Sequence, residues 1–327
     1  MALVRESLAV PSSKWSGLGA AGLVNPRSEC QTVNMKLGEF EINEPVPEVR
    51  NPHVLAVLRP WIDVGSVGTL SLSRVERHLR AQELGRMTRP GRFYDFTRYR
   101  PRSYLNEGRR EFSIPNTVVR YALREEPPDL ILIHLLEPHL HGEDYTDSVL
   151  ELLKYFNVKR YSLMGAMYDM VPHTRPLLVS GGVDEPSSEE EYRRVRVRPS
   201  DYEGPTTITY LVSQEAERLG IETRSFVVHL PQYFQVEEDF TGTARLMEII
   251  CNLYHLPNRL MDRQRGRQQY ADLQNIVNDA SGVSSLLQRL EERYDTEQRT
   301  DQPAPPPLAP NIERFLEELD QGFDSPK

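Results

Sequence analysis

The chain has only two cysteines in 327 residues, Cys30 and Cys251, and neither has a neighbour at the spacing of a disulfide framework or a metal knuckle. That excludes a disulfide-stapled secreted scaffold and fits a reducing compartment, so a cytoplasmic location is expected. Long apolar runs are missing too. No window approaches the roughly 18 residues of a membrane span, and Glu6 and Pro11 interrupt the apolar patch where a secretory signal would lie. Basic charge is in deficit: 39 Lys and Arg stand against 48 Asp and Glu, a formal net charge of −9. A general nucleic-acid binder needs a basic face to release counterions from phosphates, so that class is excluded, and no membrane partner is expected either. Neither the Walker loop nor the dinucleotide fingerprint occurs, which argues against nucleotide sites of those kinds, and no cofactor is expected. No Gly-x-Ser-x-Gly elbow occurs, so a hydrolase triad has no motif behind it.

What is present is an alternation of short apolar runs with amphipathic segments. Residues 53–58 (HVLAVL) and 129–135 (DLILIHL) read as strands buried on both faces, because their apolar residues run on without alternation. Residues 158–166 and 223–229 supply two more. Val149, Leu152, Leu153 and Phe156 fall at helical spacing, and Ile208, Leu211, Val212 and Leu219 do nearly the same. The β-α-β-α order predicts an α/β fold with a mainly parallel sheet covered by helices on both faces. In such sheets functional loops gather at the carboxyl ends of the strands.

The organisation expected along the chain is an irregular segment over 1–34, an α/β domain over 35–256, a helical appendage over 257–300, a proline-rich spacer over 301–310 and a short terminal helix with tail over 311–327. The spacer is expected to be semi-rigid because it holds five prolines. Met35 is a candidate for the true start, since the segment before it has no helical or strand period. Met35 to Ile42 is expected to form short extended structure. The stripe Ile312, Phe315, Leu316 and Leu319 is too short to stand alone and is expected to dock on a surface.

Several stretches carry chemistry. Pro172-His173-Thr174-Arg175-Pro176 places a titratable ring and a fixed cation between two prolines, directly after a strand that Gly165 is expected to end. His229 closes the last strong strand and is expected to share a cleft with His173. Residues 86–110 hold eight arginines interleaved with Phe93, Tyr94, Phe96, Tyr99 and Tyr104. Arginine and tyrosine in that mixture favour a protein interface over an anion clamp. The pair Gly65 and Gly68 begins a helix whose N-terminus can hold an anion. His134, Glu137, His139, His141, Glu143 and Asp144 are metal-ligand types, but Pro138 and the strand around His134 break the geometry, and no metal is expected.

Trp61-Ile62-Asp63-Val64-Gly65, Phe93-Tyr94-Asp95-Phe96 with Arg100-Pro101, Leu136-Glu137-Pro138, the 172–176 stretch and His229-Leu230-Pro231-Gln232-Tyr233 together resemble, in order and spacing, the proteasome assembly chaperone 2 family, especially its bacterial members. The resemblance spans roughly residues 50–256. It implies a nucleoside-phosphorylase-like fold, a homo-oligomer and a link by descent to proteasome assembly, with protein partners and a proteasome-related protein as one candidate among them. It departs from the archaeal type at the end: the hydrophobic-tyrosine tail that enters proteasome pockets is replaced by Gly322-Phe323-Asp324-Ser325-Pro326-Lys327. The favoured reading is a non-enzymatic, self-associating assembly or scaffold protein. The alternative is an enzyme or small-molecule sensor binding an anionic ligand, with His173 or His229 as acid/base and Asp63, Tyr94, Asp95, Arg98, Glu137, Arg175 and Tyr233 as candidate ligand residues. A carboxylate-amine ligase is the third reading, and it lacks the nucleotide loop and acidic metal ligands such an enzyme needs.

Overall fold

Unbroken apolar segments become the centre of one large sheet. The computed structural model describes residues 35–182, 189–200, 202–279 and 283–300; the expected N-terminal segment, proline-rich spacer and terminal helix lie outside them. The first elements are β1 (Met35–Leu37), β2 (Phe40–Ile42), β3 (His53–Arg59), α1 (Val67–Leu79), β4 (Gln82–Met87), β5 (Arg102–Asn106), β6 (Arg109–Ser113), β7 (Val118–Ala122) and β8 (Leu130–Leu136). There follow α2 (Gly142–Tyr155), β9 (Arg160–Asp169), β10 (Val179–Gly181), α3 (Glu189–Val195), β11 (Arg198–Pro199), α4 (Ile208–Arg218) and β12 (Glu222–Pro231). The chain then turns helical, with α5 (Phe240–Tyr254), α6 (Arg263–Asp279) and α7 (Val283–Thr300).

Ten strands form one sheet in the order β1-β2-β4-β7-β8-β3-β9-β12-β10-β11. The four read from the sequence, β8, β3, β9 and β12, are its parallel centre. On either side the pairing turns antiparallel, β7 on β8, β4 on β7 and β2 on β4 at one wing, and β10 on β12 at the other. The sheet is therefore mixed, and the expectation of a mainly parallel sheet holds only for its centre. The physical reason is burial: the wing strands are short and partly exposed, so they show no unbroken apolar runs.

Strand pleating sends successive side chains to opposite faces. Val54, Ala56 and Leu58 of β3 join the cluster under α2 and α4, with Val149, Leu152 and Val212. Leu55 and Val57 join the other, under α1 and α5, with Leu72, Leu246 and Ile250. Helices thus cover both faces, and Tyr270 of α6 extends the second cluster, with Leu273 packed against it.

A buried carboxylate fixes the start of the two central strands. Asp129, just before β8, is fully buried and accepts from the backbone N–H groups of Arg50 and Arg124, both at 2.7 Å, and from the Arg50 guanidinium. Its own carbonyl accepts from His53 N–H at the start of β3. No helix among the described residues is long and apolar enough to cross a membrane.

Candidate functional site

Because β8, β3, β9 and β12 are parallel, their carboxyl ends share one rim, and the chemistry-bearing stretches leave the sheet there. They do not converge on one point. Asp63, Tyr94, Asp95, Arg98 and Glu137 serve mostly as local supports, and His173, Arg175, His229 and Tyr233 gather on the β9–β12 side.

Asp63 sits at the N-terminus of α1 and fills its anion position with its own carboxylate, accepting from Gly68 N–H at 2.7 Å, Thr69 N–H at 3.0 Å and the Thr69 hydroxyl. Burial raises its pKa, against the pull of those hydrogen bonds. The two glycines therefore serve the turn, where Gly65 has φ +58°, and the helix terminus is already occupied. Gly165 does not end its strand, since β9 continues to Asp169. A Cβ there would lie 2.3 Å from the Ile62 carbonyl oxygen, which accepts from Ala166 N–H at 2.8 Å. Gly165→Ala should push the 61–63 loop off β9 and cost about 2 kcal/mol; an unchanged urea midpoint would show that the loop moves freely.

Tyr94 is buried, and its hydroxyl shares a core network with Thr117 (2.7 Å) and, through it, Tyr145 (2.8 Å). Asp95 closes a turn on Thr97, whose hydrogen bonds hold the carboxyl below its usual range. Arg98 is exposed and lies 3.9 Å from Asp95. Glu137 Oε1 accepts from Ile208 N–H at 3.4 Å, and burial raises its pKa. His134 meets Glu76 at 2.6 Å, and His139 accepts from Asp95 N–H. Among the described residues, no three His, Cys, Asp or Glu side chains gather as metal ligands.

The 172–176 loop turns its polar groups toward the C-terminal helices. Tyr233 hydroxyl accepts from His173 N–H at 2.8 Å and bonds to the ring Nδ1, while Nε2 meets Gln274 Oε1 of α6 at 2.6 Å. Burial lowers the pKa of this ring, which is saturated with partners. Arg175 forks onto Asp295 of α7 at 2.9 and 2.8 Å and reaches Glu291 at 3.4 Å. Thr174 bonds Glu291, and Tyr294 donates to the Pro176 carbonyl at 2.9 Å. Arg175 is thus matched by acids from the same chain, and the loop acts as a latch for α7.

His229 is placed differently. Its Nδ1 meets Asp169 Oδ2 at 2.7 Å and its Nε2 meets Ser180 Oγ at 2.8 Å. All three residues line a cavity of about 1130 Å³, which Pro172 and Pro176 also line. His173 and Arg175 are not among its lining residues. Sequence reasoning singled out neither Asp169 nor Ser180. The available signals were an acid at the end of a strand and a Ser-Gly-Gly run, both too common to select.

Comparison with known proteins agrees with this architecture. The profile of the PAC2 family matches residues 57–263, and no curated protein matches the chain. A Corynebacterium glutamicum protein of unknown function is 19% identical with a TM-score of 0.71, over 81% of this chain and 100% of that one. A PAC2 family protein from Streptomyces avermitilis is 22% identical with a TM-score of 0.64, over 72% and 99%. A Mycobacterium tuberculosis proteasome-assembly chaperone homologue is 20% identical with a TM-score of 0.63, again over 72% and 99%. At such identities the structures establish the fold, but the family profile spans more than half of the sequence, and the chain belongs to the PAC2 family.

Proposed function

We propose that this PAC2-family chain is a self-associating assembly or scaffold protein of the cytoplasm, whose contact arm is the β5–β6 hairpin. The observation that carries the reading is the hairpin's exposure. It forms a two-stranded sheet of its own, separate from the main one, and nine of its ten strand residues are exposed. The register pairs Ser103 with Phe112 and Leu105 with Arg110, which puts Leu105 and Phe112 on one face. They are 68% and 65% exposed. A lone hairpin is marginal in water, and an apolar face on it calls for a partner surface. Ion pairs from Arg86 to Glu83 and from Arg92 to Glu39 and Asp144 occupy part of the arginine-rich segment within the chain. Arg102, Arg109 and Arg110 stay on the arm, in the Arg and aromatic mixture of interface surfaces. The partner that fits is a second copy of this chain, because an acidic protein offers carboxylates to those arginines. The relative described as a proteasome-assembly chaperone homologue supports an assembly role and suggests a proteasome-related protein as a further partner.

Sedimentation velocity at micromolar concentration should find an oligomer that Leu105→Asp with Phe112→Asp converts to monomer, with the melting temperature of the remaining fold retained. A monomeric wild type, or an oligomer indifferent to both substitutions, would remove the reading.

A further inference from the structure

The cavity beside His229 is built for negative charge. Its walls come from β9, β10, β11 and β12, the loop after β9, and α3, α5, α6 and α7, and among the described residues they present seven arginines against three acids. Glu248 alone answers three of them, Arg245 at 3.0 Å, Arg263 at 3.2 Å and Arg196 at 3.3 Å. The Arg245 side chain is only 10% exposed and also donates to the carbonyls of Val195 and Arg196. Burial lowers its pKa against the opposing pull of Glu248. An incoming anion would meet an excess of cations over acids there. The volume, about 1130 Å³, is ample for a small molecule.

One wall of this chamber carries a proton relay. Asp169 is held below the usual carboxylate range, first by its hydrogen bond with His229, so at neutral pH it is ionised and accepts a hydrogen bond from Nδ1–H of the ring. That fixes the tautomer and leaves the Nε2 lone pair toward the Ser180 hydroxyl, the order of roles in a serine triad. The placement is set by the sheet. His229 and Asp169 lie on the paired strands β12 and β9, and Ser180 lies on β10, diagonal to His229 across the antiparallel pair. Arg198 of β11 is the register partner of Ser180 and lines the same cavity.

We propose that Ser180, His229 and Asp169 form a serine acyl-transfer centre on the wall of this cavity, acting on small carboxylic esters that carry a second, anionic group. This goes beyond the assembly reading and uses the opposite wing of the sheet from the hairpin. Ser180 Oγ bonds to the acyl carbon as its proton passes to His229 Nε2. The ester C–O bond breaks, and the departing alkoxide takes that proton and leaves as the alcohol. Water then adds to the acyl carbon and gives a proton to His229, and the Ser180 Oγ–C bond breaks, with the oxygen recovering the proton. The sum is ester plus water to acid plus alcohol. The arginines hold the anionic group, and Arg198 stands beside the nucleophile.

Two probes test the proposal on the full chain. Diisopropyl fluorophosphate should give one adduct, mapped to Ser180 by peptide mass, and His229→Gln should slow its formation about a hundredfold or more. 4-Nitrophenyl hydrogen succinate should be hydrolysed with a kcat/KM at least about tenfold above that of 4-nitrophenyl acetate, a preference that Arg198→Gln reduces. Thermal melting of each variant checks that it is folded. Absence of an adduct at Ser180 on the wild type, or equal labelling rates in wild type and a folded His229→Gln, overturns the centre. Labelling without preference for the succinate ester overturns the anionic specificity.

Discussion

Asp129→Ala is expected to lower folding stability by about 3 kcal/mol, because it strands two backbone donors at the start of the central strands. The carboxylate has no solvent exposure and holds Arg50 N–H and Arg124 N–H at 2.7 Å each. An alanine leaves both without that acceptor. The ion pair itself contributes less, since the Arg50 side chain is 49% exposed and screened by solvent. Asp129→Asn should fall between wild type and alanine, since one amide oxygen replaces two carboxylate oxygens. Urea denaturation of the three proteins gives the ranking, and an alanine variant within about 0.5 kcal/mol of wild type would mean that the strand starts are fixed by something else. Burial opposes the charge on Asp129, yet the bonds from Arg50 and Arg124 leave its pKa below the usual value. A depressed carboxyl stabilises the fold above its unfolded pKa, and that contribution fades as pH falls below about 4.

The second large effect lies at milder acidity. His53 begins β3 with its ring edge-on to Tyr254, at 5.8 Å between centroids. Burial, reinforced by the nearby Arg160 and Arg224 charges, pushes its pKa down from 6.5 to about 4. Between those values an unfolded chain takes up a proton that the folded one refuses. The folded state therefore keeps its full stability above pH 6.5 and loses it steadily down to pH 4, by roughly 3 kcal/mol at about 1.4 kcal/mol per pH unit. His173 is shifted in the same direction and steepens the decline. Denaturation curves from pH 7 to pH 4 should show His53→Gln losing much less stability than wild type, and parallel curves would refute the assignment.

The parts of this fold that were legible in the sequence are those under the strongest burial. β3 and β8 read directly because both faces of each strand are covered, so nearly every interior position is apolar, His134 excepted. Of the wings only β1 and β2 read, inside the expected extended segment Met35 to Ile42. β4 is QELGRM, which lies at the antiparallel side of the sheet and needs no clean period, and β10 has three residues. Site residues fared unevenly for a related reason. Arg175 looked like a free cation because its acid, Asp295, is 120 positions away. Asp63 looked like a ligand residue because a capping carboxylate and a binding carboxylate have the same local sequence. His229 was visible, but its partners lie 60 and 49 positions off and meet only when β9, β10 and β12 pair.

The latch at residues 172–176 gives one part of the molecule leverage over another. It holds α7 by its polar face, and α7 supplies Leu290, Arg293, Tyr294 and Glu297 to the neighbouring chamber. A guanidinium outside that chamber's lining thus helps to hold one of its walls. Loosening Arg175 would alter reactivity there as a door frame out of true alters a lock, without touching the mechanism inside.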